Sequence, residues 1–185
     1  MVLTRQFILA VESGNMDSAS KLAAMLMKNQ EDIGSVIGKF FGKAAGDRVT
    51  HLLKEHIGAA ADYVKAAFKH EKPAMMRAAS KLMANVDRMA AALNNLSPFW
   101  PKIAWKKVLT GHIMHTKCEV DYRVEKNMVG DQACWEQVKQ NMAEIANFMT
   151  AGIIQQFKLP RTGEIMQIPK ALRTSMMYVH SGRLV

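Results

Sequence analysis

Two histidines of this 185-residue chain fall among apolar residues spaced as on the buried face of a helix. His56 lies in the apolar stripe of 46–70, and His112 lies in that of 102–127. In a helical bundle, inward-facing polar side chains from neighbouring helices build ligand and metal sites. Four further polar residues lie on or beside such stripes: Arg5, Asn29, Asn85 and Glu119. These six residues form the candidate ligand-binding site.

The six residues admit two interpretations. One is a small-ligand or metal site around His56 and His112. The other is a hydrogen-bonded polar layer that fixes the register of the helices, since buried polar groups need partners whether or not they bind anything. The sequence leaves both interpretations open.

Spacing gives only weak support to a metal site. His112 and His115 are three residues apart and could share an ion with His56, but His115 falls on the flank of its stripe. The repeated Glu-x-x-His pairs of di-iron bundles and the His-Glu-x-x-His motif of zinc helices are absent. We therefore predict no metal and no cofactor, with these three histidines as the weak candidates.

Enzyme signatures are also missing from the sequence. There is no Gly-rich phosphate loop, no Gly-x-Ser-x-Gly elbow and no cysteine beside an obvious activating base. We predict no catalytic residue, and an inert role for both cysteines.

Periodic apolar segments, separated by Gly, Pro and Asn, predict the helices that position these residues. The predicted helices are 2–13, a second from a cap at Asp17 or Ser18 to Gly42, 46–70, 73–93, 102–127, and a last one capped by Asp131. We predict an all-α, up-and-down helical bundle of about six helices with a four-helix-bundle-like core, formed by residues 1–157. Gly34 and Gly38 either let a neighbouring helix approach closely or weaken their own helix.

The chain is basic, with 25 Lys and Arg residues against 16 Asp and Glu and a formal net charge of +9. Such a charge attracts phosphate or anionic surfaces where it is clustered. No Lys/Arg-rich block and no interleaving of basic with aromatic residues occurs. Nucleic acid or an acidic protein is the partner class that the charge favours, and weak nucleic-acid binding is an alternative function.

The two cysteines, Cys118 and Cys134, are predicted to be free thiols. With the turn between the last two helices at 128–130, their positions differ by about six residues, or roughly 9 Å, beyond the Cα reach of a disulfide. No apolar run of 18 residues and no signal-peptide cleavage pattern is present. We expect a reducing, intracellular setting and no membrane span.

Residues 158–185 lose the helical period and contain two prolines, two glycines, five basic residues and one acidic residue. We predict an irregular, extended arm that packs on its own bundle or on a partner subunit. The preferred prediction is a homodimer that exchanges arms about a two-fold axis.

Several runs are unusual in combination. They are Leu3-Thr4-Arg5, Lys28-Asn29-Gln30-Glu31-Asp32-Ile33-Gly34, Leu52-Leu53-Lys54-Glu55-His56-Ile57, Asn85-Val86-Asp87 and His112-Ile113-x-x-Thr116-Lys117-x-Glu119. In these runs, over about residues 3–157, the chain resembles a largely uncharacterised helical-bundle family of soil bacteria with a member in the particles of marseilleviruses, the giant viruses of amoebae. The resemblance implies an all-helical bundle without an established activity, with polar positions at the six candidate residues.

The chain departs from that bacterial pattern at two places. It lacks the histidine-bearing segment that precedes the Thr-Arg pair, and it has Met83 where the pattern has an aromatic residue. Both departures favour a repurposed, structural role.

The resulting first hypothesis is a non-enzymatic viral protein, packaged in the virion, that acts by binding and occurs in the virion or the host cytoplasm or nucleus. The alternative from another class is a ligand- or metal-binding bundle with a site at His56 and His112.

Overall fold

The structure is a computed structural model that describes residues 2–159, and within that range every regular element is an α-helix. This confirms the predicted all-α class and six-helix bundle. The helices are α1 (Val2–Glu12), α2 (Met16–Phe41), α3 (Lys43–Phe68), α4 (Lys72–Leu96), α5 (Lys102–Val124) and α6 (Met128–Phe157).

The long helices follow one another up and down, since short turns make consecutive helices antiparallel neighbours. Each of α2 to α5 packs against the next helix, and α1 packs against α2, α3 and α5. α1 has 11 residues whereas the others have 23 to 30. At 1.5 Å per residue α1 is about 16 Å long and its neighbours are more than twice that length. α1 therefore fills only part of the height of the bundle.

The core is a single apolar cluster that takes residues from all six helices. Its largest fully buried side chains include Trp100, Trp105 and Phe148, and the Trp105 and Phe148 rings are 4.8 Å apart. Burying an aromatic side chain of this size removes a large apolar area from water and is a main source of stability.

Three glycines bring α2 and α3 together. A Cβ atom on Gly46 would lie 2.6 Å from the backbone oxygen of Gly34 and 2.8 Å from the Cα of Gly38. Only hydrogen fits at Gly46, and a Cβ atom on Gly34 would lie 2.8 Å from the Gly46 backbone oxygen, whereas one on Gly38 would make an ordinary contact at 3.7 Å. Gly34 therefore serves the close approach of a neighbouring helix, the first of the two predicted roles, and Gly38 contributes its backbone to the contact with Gly46.

Two predicted helix starts were wrong. α2 begins after Asn15, whose side chain accepts a hydrogen bond from the Ser18 backbone N–H at 3.0 Å, and not after a cap at Asp17 or Ser18. α3 begins at Lys43, directly after Gly42, and not at Gly46. Gly42 has a φ of 90°, a conformation that favours glycine and lets one residue separate two long helices. Pro73 lies in the first turn of α4, as predicted.

The cap prediction for α6 was also wrong. Asn127 is the cap, and its side chain accepts from the Gly130 backbone N–H at 2.9 Å. Asp131 is instead a buried residue, with 1% of its surface exposed, and it makes ion pairs across the bundle.

Cys118 and Cys134 form a disulfide, so the prediction of free thiols was wrong. α5 ends at Val124 and α6 begins at Met128, so the turn comes earlier than predicted. Cys118 lies six residues before the end of α5 and Cys134 six residues after the start of α6, which places them side by side with their Cα atoms 5.9 Å apart. The expectation of a reducing compartment rested on free thiols and loses that support.

No helix within residues 2–159 is long and apolar enough to cross a membrane. Residues 160–185 lie outside the described residues, and with them nearly all of the predicted arm. The arm-exchanged homodimer therefore stays a prediction.

Candidate functional site

His56 on α3 is oriented by Asn85 on α4. The Asn85 Nδ2 group donates to the Leu52 backbone carbonyl at 2.9 Å, and its Oδ1 atom lies 3.2 Å from His56 Nδ1. A carbonyl oxygen only accepts, which fixes the amide orientation and leaves Oδ1 as an acceptor. His56 Nδ1 therefore carries the ring proton, and the lone pair is on Nε2.

His112 on α5 faces His56 from across the bundle. The two rings stack with their centroids 6.0 Å apart and an interplanar angle of 28°. The predicted meeting of these residues in the bundle interior is thus found. His112 Nδ1 and, one turn further along α5, Thr116 Oγ1 are sealed from solvent and have no hydrogen-bond partner among residues 2–159.

Both histidines are uncharged at neutral pH. Burial lowers the pKa of His112 from 6.5 to about 3, and the nearby His56 ring acts in the same direction. Burial likewise lowers the pKa of His56, against the opposing effect of its hydrogen bond to Asn85. The pair therefore offers hydrogen-bonding atoms without a positive charge.

Two adjoining chambers meet at this histidine pair. The first has a volume of about 70 Å³ and lies among α1 to α5, and the second has a volume of about 170 Å³ and takes residues from all six helices. We call the two together the histidine cavity. The residues that line both chambers are Thr4, Leu26, His56, Ile57 and His112.

The short first helix explains why there is space here. Thr4, near the N-terminal end of α1, is the α1 residue that lines the second chamber, whereas both Thr4 and Phe7 line the first. The longer helices continue past that end, so their inward side chains enclose a space that α1 does not fill. Three flexible methionines, Met89, Met142 and Met149, lie along the wall of this second chamber.

The walls of the histidine cavity are almost entirely hydrocarbon. Among the described residues, Lys117 is the one charged side chain that lines either chamber, and it is paired with the Asp121 carboxylate. Tyr63 also lines the first chamber, and its hydroxyl donates to Asp121 at 3.0 Å. The cavity therefore suits an uncharged, mainly apolar occupant.

Asn29 does not belong to the buried polar group. It is exposed at the edge of the second chamber. The buried position belongs to its neighbour Gln30, which is 5% exposed and donates to the Leu26 backbone carbonyl at 2.9 Å. Neighbouring helical residues point about 100° apart, so a small error in the predicted stripe direction exchanged the two.

Arg5 and Glu119 lie together, but in a separate group. Arg5 Nη1 donates to Glu119 Oε1 at 2.6 Å, and Arg5 donates to both oxygens of Asp131 at 2.9 and 2.8 Å. Arg123 binds Asp131 at 3.3 Å and Glu12 at 2.5 Å. We call these five residues the α1 ion cluster. It joins α1 to α5 and α6 and holds the α1 residues that line the cavity.

Most of the α1 ion cluster was not predicted from the sequence. Arg123 was not among the six candidate residues, and Asp131 was predicted to be a cap. Glu119 is 1% exposed, and burial raises its pKa while the Arg5 guanidinium acts against that rise. The one sequence signal was the inward position of an arginine, which requires a buried acid for a partner.

The described part of the chain contains no group of three or more His, Cys, Asp or Glu side chains that could hold a metal ion. His115 is half-buried and does not join the stacked pair. Of the six predicted site residues, the structure thus brings His56, Asn85 and His112 together at the histidine cavity, and Arg5 and Glu119 together in the α1 ion cluster.

No protein-family model, curated protein or solved structure was found to match this chain.

Proposed function

We propose that this protein is a non-enzymatic binding protein that holds a small, uncharged and mainly apolar ligand in the histidine cavity. The observation that supports the proposal is a hydrocarbon-walled space in contact with two neutral, stacked histidines. Ligand pockets in proteins combine mostly apolar walls with a few placed polar groups. A polar layer that served only helix register would be expected to pair all its atoms and leave no space beside them.

The size of the cavity limits the ligand. A cavity of about 150 Å³ in another protein stays dry and binds benzene. The second chamber, at about 170 Å³, is of that size. A single-ring compound is therefore the class that we propose.

The methionines provide the assay. Selective ¹³C labelling of Met methyl groups gives probes in the second chamber, at Met89, Met142 and Met149, and probes on the surface, at Met76 and Met114. On titration with toluene, we expect saturable shifts at the three chamber methionines and none at the two surface ones. Unchanged chamber signals up to the solubility limit of toluene would contradict the proposal.

A matched pair of substitutions on α4 tests the location. Ala92 lines the second chamber and Ala84 is exposed on the same helix. Ala92→Phe places a ring in the chamber and should abolish the toluene response, whereas Ala84→Phe should preserve it. Toluene binding that survives in Ala92→Phe would place the site elsewhere.

Packaging in a virus particle is a separate proposal that rests on the sequence resemblance alone. Proteomics of purified particles tests it, and detection only in infected cells and never in particles would reject it. Weak nucleic-acid binding likewise stays a prediction, in which affinity for DNA falls steeply with salt. Many described basic side chains are already in surface ion pairs, for example Lys28 with Glu31 and Lys106 with Asp87.

A further inference from the structure

We propose that the ligand carries a hydroxyl group, as a phenol does, and that this group accepts a hydrogen bond from His112 Nε2 while it donates one to His56 Nε2. The inference rests on the proposed function and specifies the ligand of the same cavity. It follows from the proton positions on the two rings.

His56 supplies an acceptor. Its Nδ1–H group is used by Asn85, so its Nε2 atom has the lone pair. No hydrogen bond joins Nε2 to another atom of residues 2–159. Because the ring lines both chambers, this acceptor opens on the cavity.

His112 supplies a donor. Its Nδ1 atom is sealed and has no partner among the described residues. Buried N–H groups without a partner are rarer than buried acceptors with unused lone pairs. The neutral ring therefore has its proton on Nε2, which has no partner within residues 2–159, and the ring lines both chambers.

One donor and one acceptor thus open on the same cavity from stacked rings. A hydroxyl oxygen that accepts one hydrogen bond and donates another, each about 2.8 Å long and at a roughly tetrahedral angle, joins two nitrogens about 4.6 Å apart. Rings with centroids 6.0 Å apart allow that separation. A hydroxyl group both accepts and donates from one atom. A carboxylate or a ketone cannot donate, and an ammonium group cannot accept.

The surroundings select the rest of the ligand. Apolar walls and a volume of about 170 Å³ accept one aromatic ring, and an anion such as benzoate would find no free positive charge among the described lining residues. The chemical class is therefore a neutral single-ring phenol.

The test compares ligands of nearly equal shape on the full-length protein, by calorimetry and by the Met methyl signals. We expect phenol to bind about tenfold more tightly than toluene, since two net hydrogen bonds contribute that much or more, and benzoate not to bind. Equal affinities for phenol and toluene would overturn this inference and leave the proposed function intact. If neither binds, both are overturned.

Two variants assign the preference to the histidines. His56→Phe and His112→Phe keep an aromatic ring but remove the acceptor or the donor, so each loses one of the two hydrogen bonds. The preference for phenol over toluene should fall to about threefold or less in each variant while toluene still binds. A preference that survives in both variants would overturn the proposal.

A measurement on the unsubstituted protein keeps the test independent of variant folding. ¹⁵N spectra of the histidine rings should show the proton of His56 on Nδ1 and that of His112 on Nε2, and phenol should shift both Nε2 signals. The opposite tautomer at either ring, or Nε2 signals that do not move, would overturn the proposal.

Discussion

Mild acid should destabilise the fold through His112. Its pKa is about 3 in the folded protein against 6.5 as the ordinary value, so the unfolded chain binds a proton over a pH range in which the folded protein does not. The stability that this histidine contributes is complete above pH 6.5 and is lost as the pH falls toward the folded value. From pH 7.5 to 5, the difference in proton binding costs about 2 kcal/mol of unfolding free energy.

Two other buried groups, His56 and Glu119, have shifted pKa values that change stability in or near this range. The lowered pKa of His56 adds a loss of the same sign as that of His112. The raised pKa of Glu119 acts in the opposite direction, because a folded state that holds its proton more readily gains stability as the pH falls. The effect of His112 must therefore be isolated by a difference between variants.

The contribution of His112 is isolated by urea unfolding of the unsubstituted protein and of His112→Leu, each at pH 7.5 and at pH 5. The pH-dependent loss should be smaller in His112→Leu by about 2 kcal/mol. His51→Leu, which removes an exposed histidine on α3, is the control and should keep the full loss. If His112→Leu loses as much stability at pH 5 as the unsubstituted protein, the burial argument for a neutral His112 is refuted.

Three further predictions concern stability. Asp131→Ala leaves two arginines without their shared acid and should lower the unfolding free energy by about 3 kcal/mol. Asp17→Ala, which removes an exposed ion pair, is the control and should lower it by less than about 1 kcal/mol. Equal losses in urea unfolding would refute the importance of the α1 ion cluster. Replacing both Cys118 and Cys134 by Ser opens a loop of 16 residues and should lower the unfolding free energy by about 3 kcal/mol. The intact mass of the unsubstituted protein should be two hydrogens lower before reduction than after it. An unchanged mass would exclude the disulfide. Gly46→Ala should destabilise the protein in thermal unfolding despite the better helix propensity of Ala, because the new Cβ atom meets the α2 backbone. Gly58→Ala is the control: its new Cβ atom meets nothing within 4 Å, so it should stabilise the protein by up to about 1 kcal/mol. A stabilising Gly46→Ala would contradict the close approach of α2 and α3.

The existence and type of the helices depend on residues close together in the sequence and were predicted correctly. The spacing of apolar residues identified six helices and placed His56 and His112 on inward faces, with Asn85 at the edge of one, because burial of one face follows directly from helical periodicity. The pattern could not show that α1 is too short to fill the bundle, since the heights of helices relative to one another are a property of the packed structure.

The errors came from features that need long-range information or exact turn positions. The turn between α5 and α6 was predicted about three residues too late in the sequence. That error separated Cys118 from Cys134 in the prediction, although they lie side by side in the fold. Asp131 looks like a cap because it begins a helical segment, and only its distant partner Arg5 reveals it as a buried acid. Residues paired over more than one hundred positions leave no mark in a short sequence window.

α1 resembles a short helical peptide that is bound to the other five helices and covalently joined to them. It is 11 residues long, follows no other described helix, and is docked through Arg5 and Glu12 against acids and bases of α5 and α6. Thr4 of this helix borders both chambers. A ligand that contacts Thr4 therefore binds more tightly when the helix is docked and stabilises the docked helix, and by linkage any change that undocks the helix weakens ligand binding.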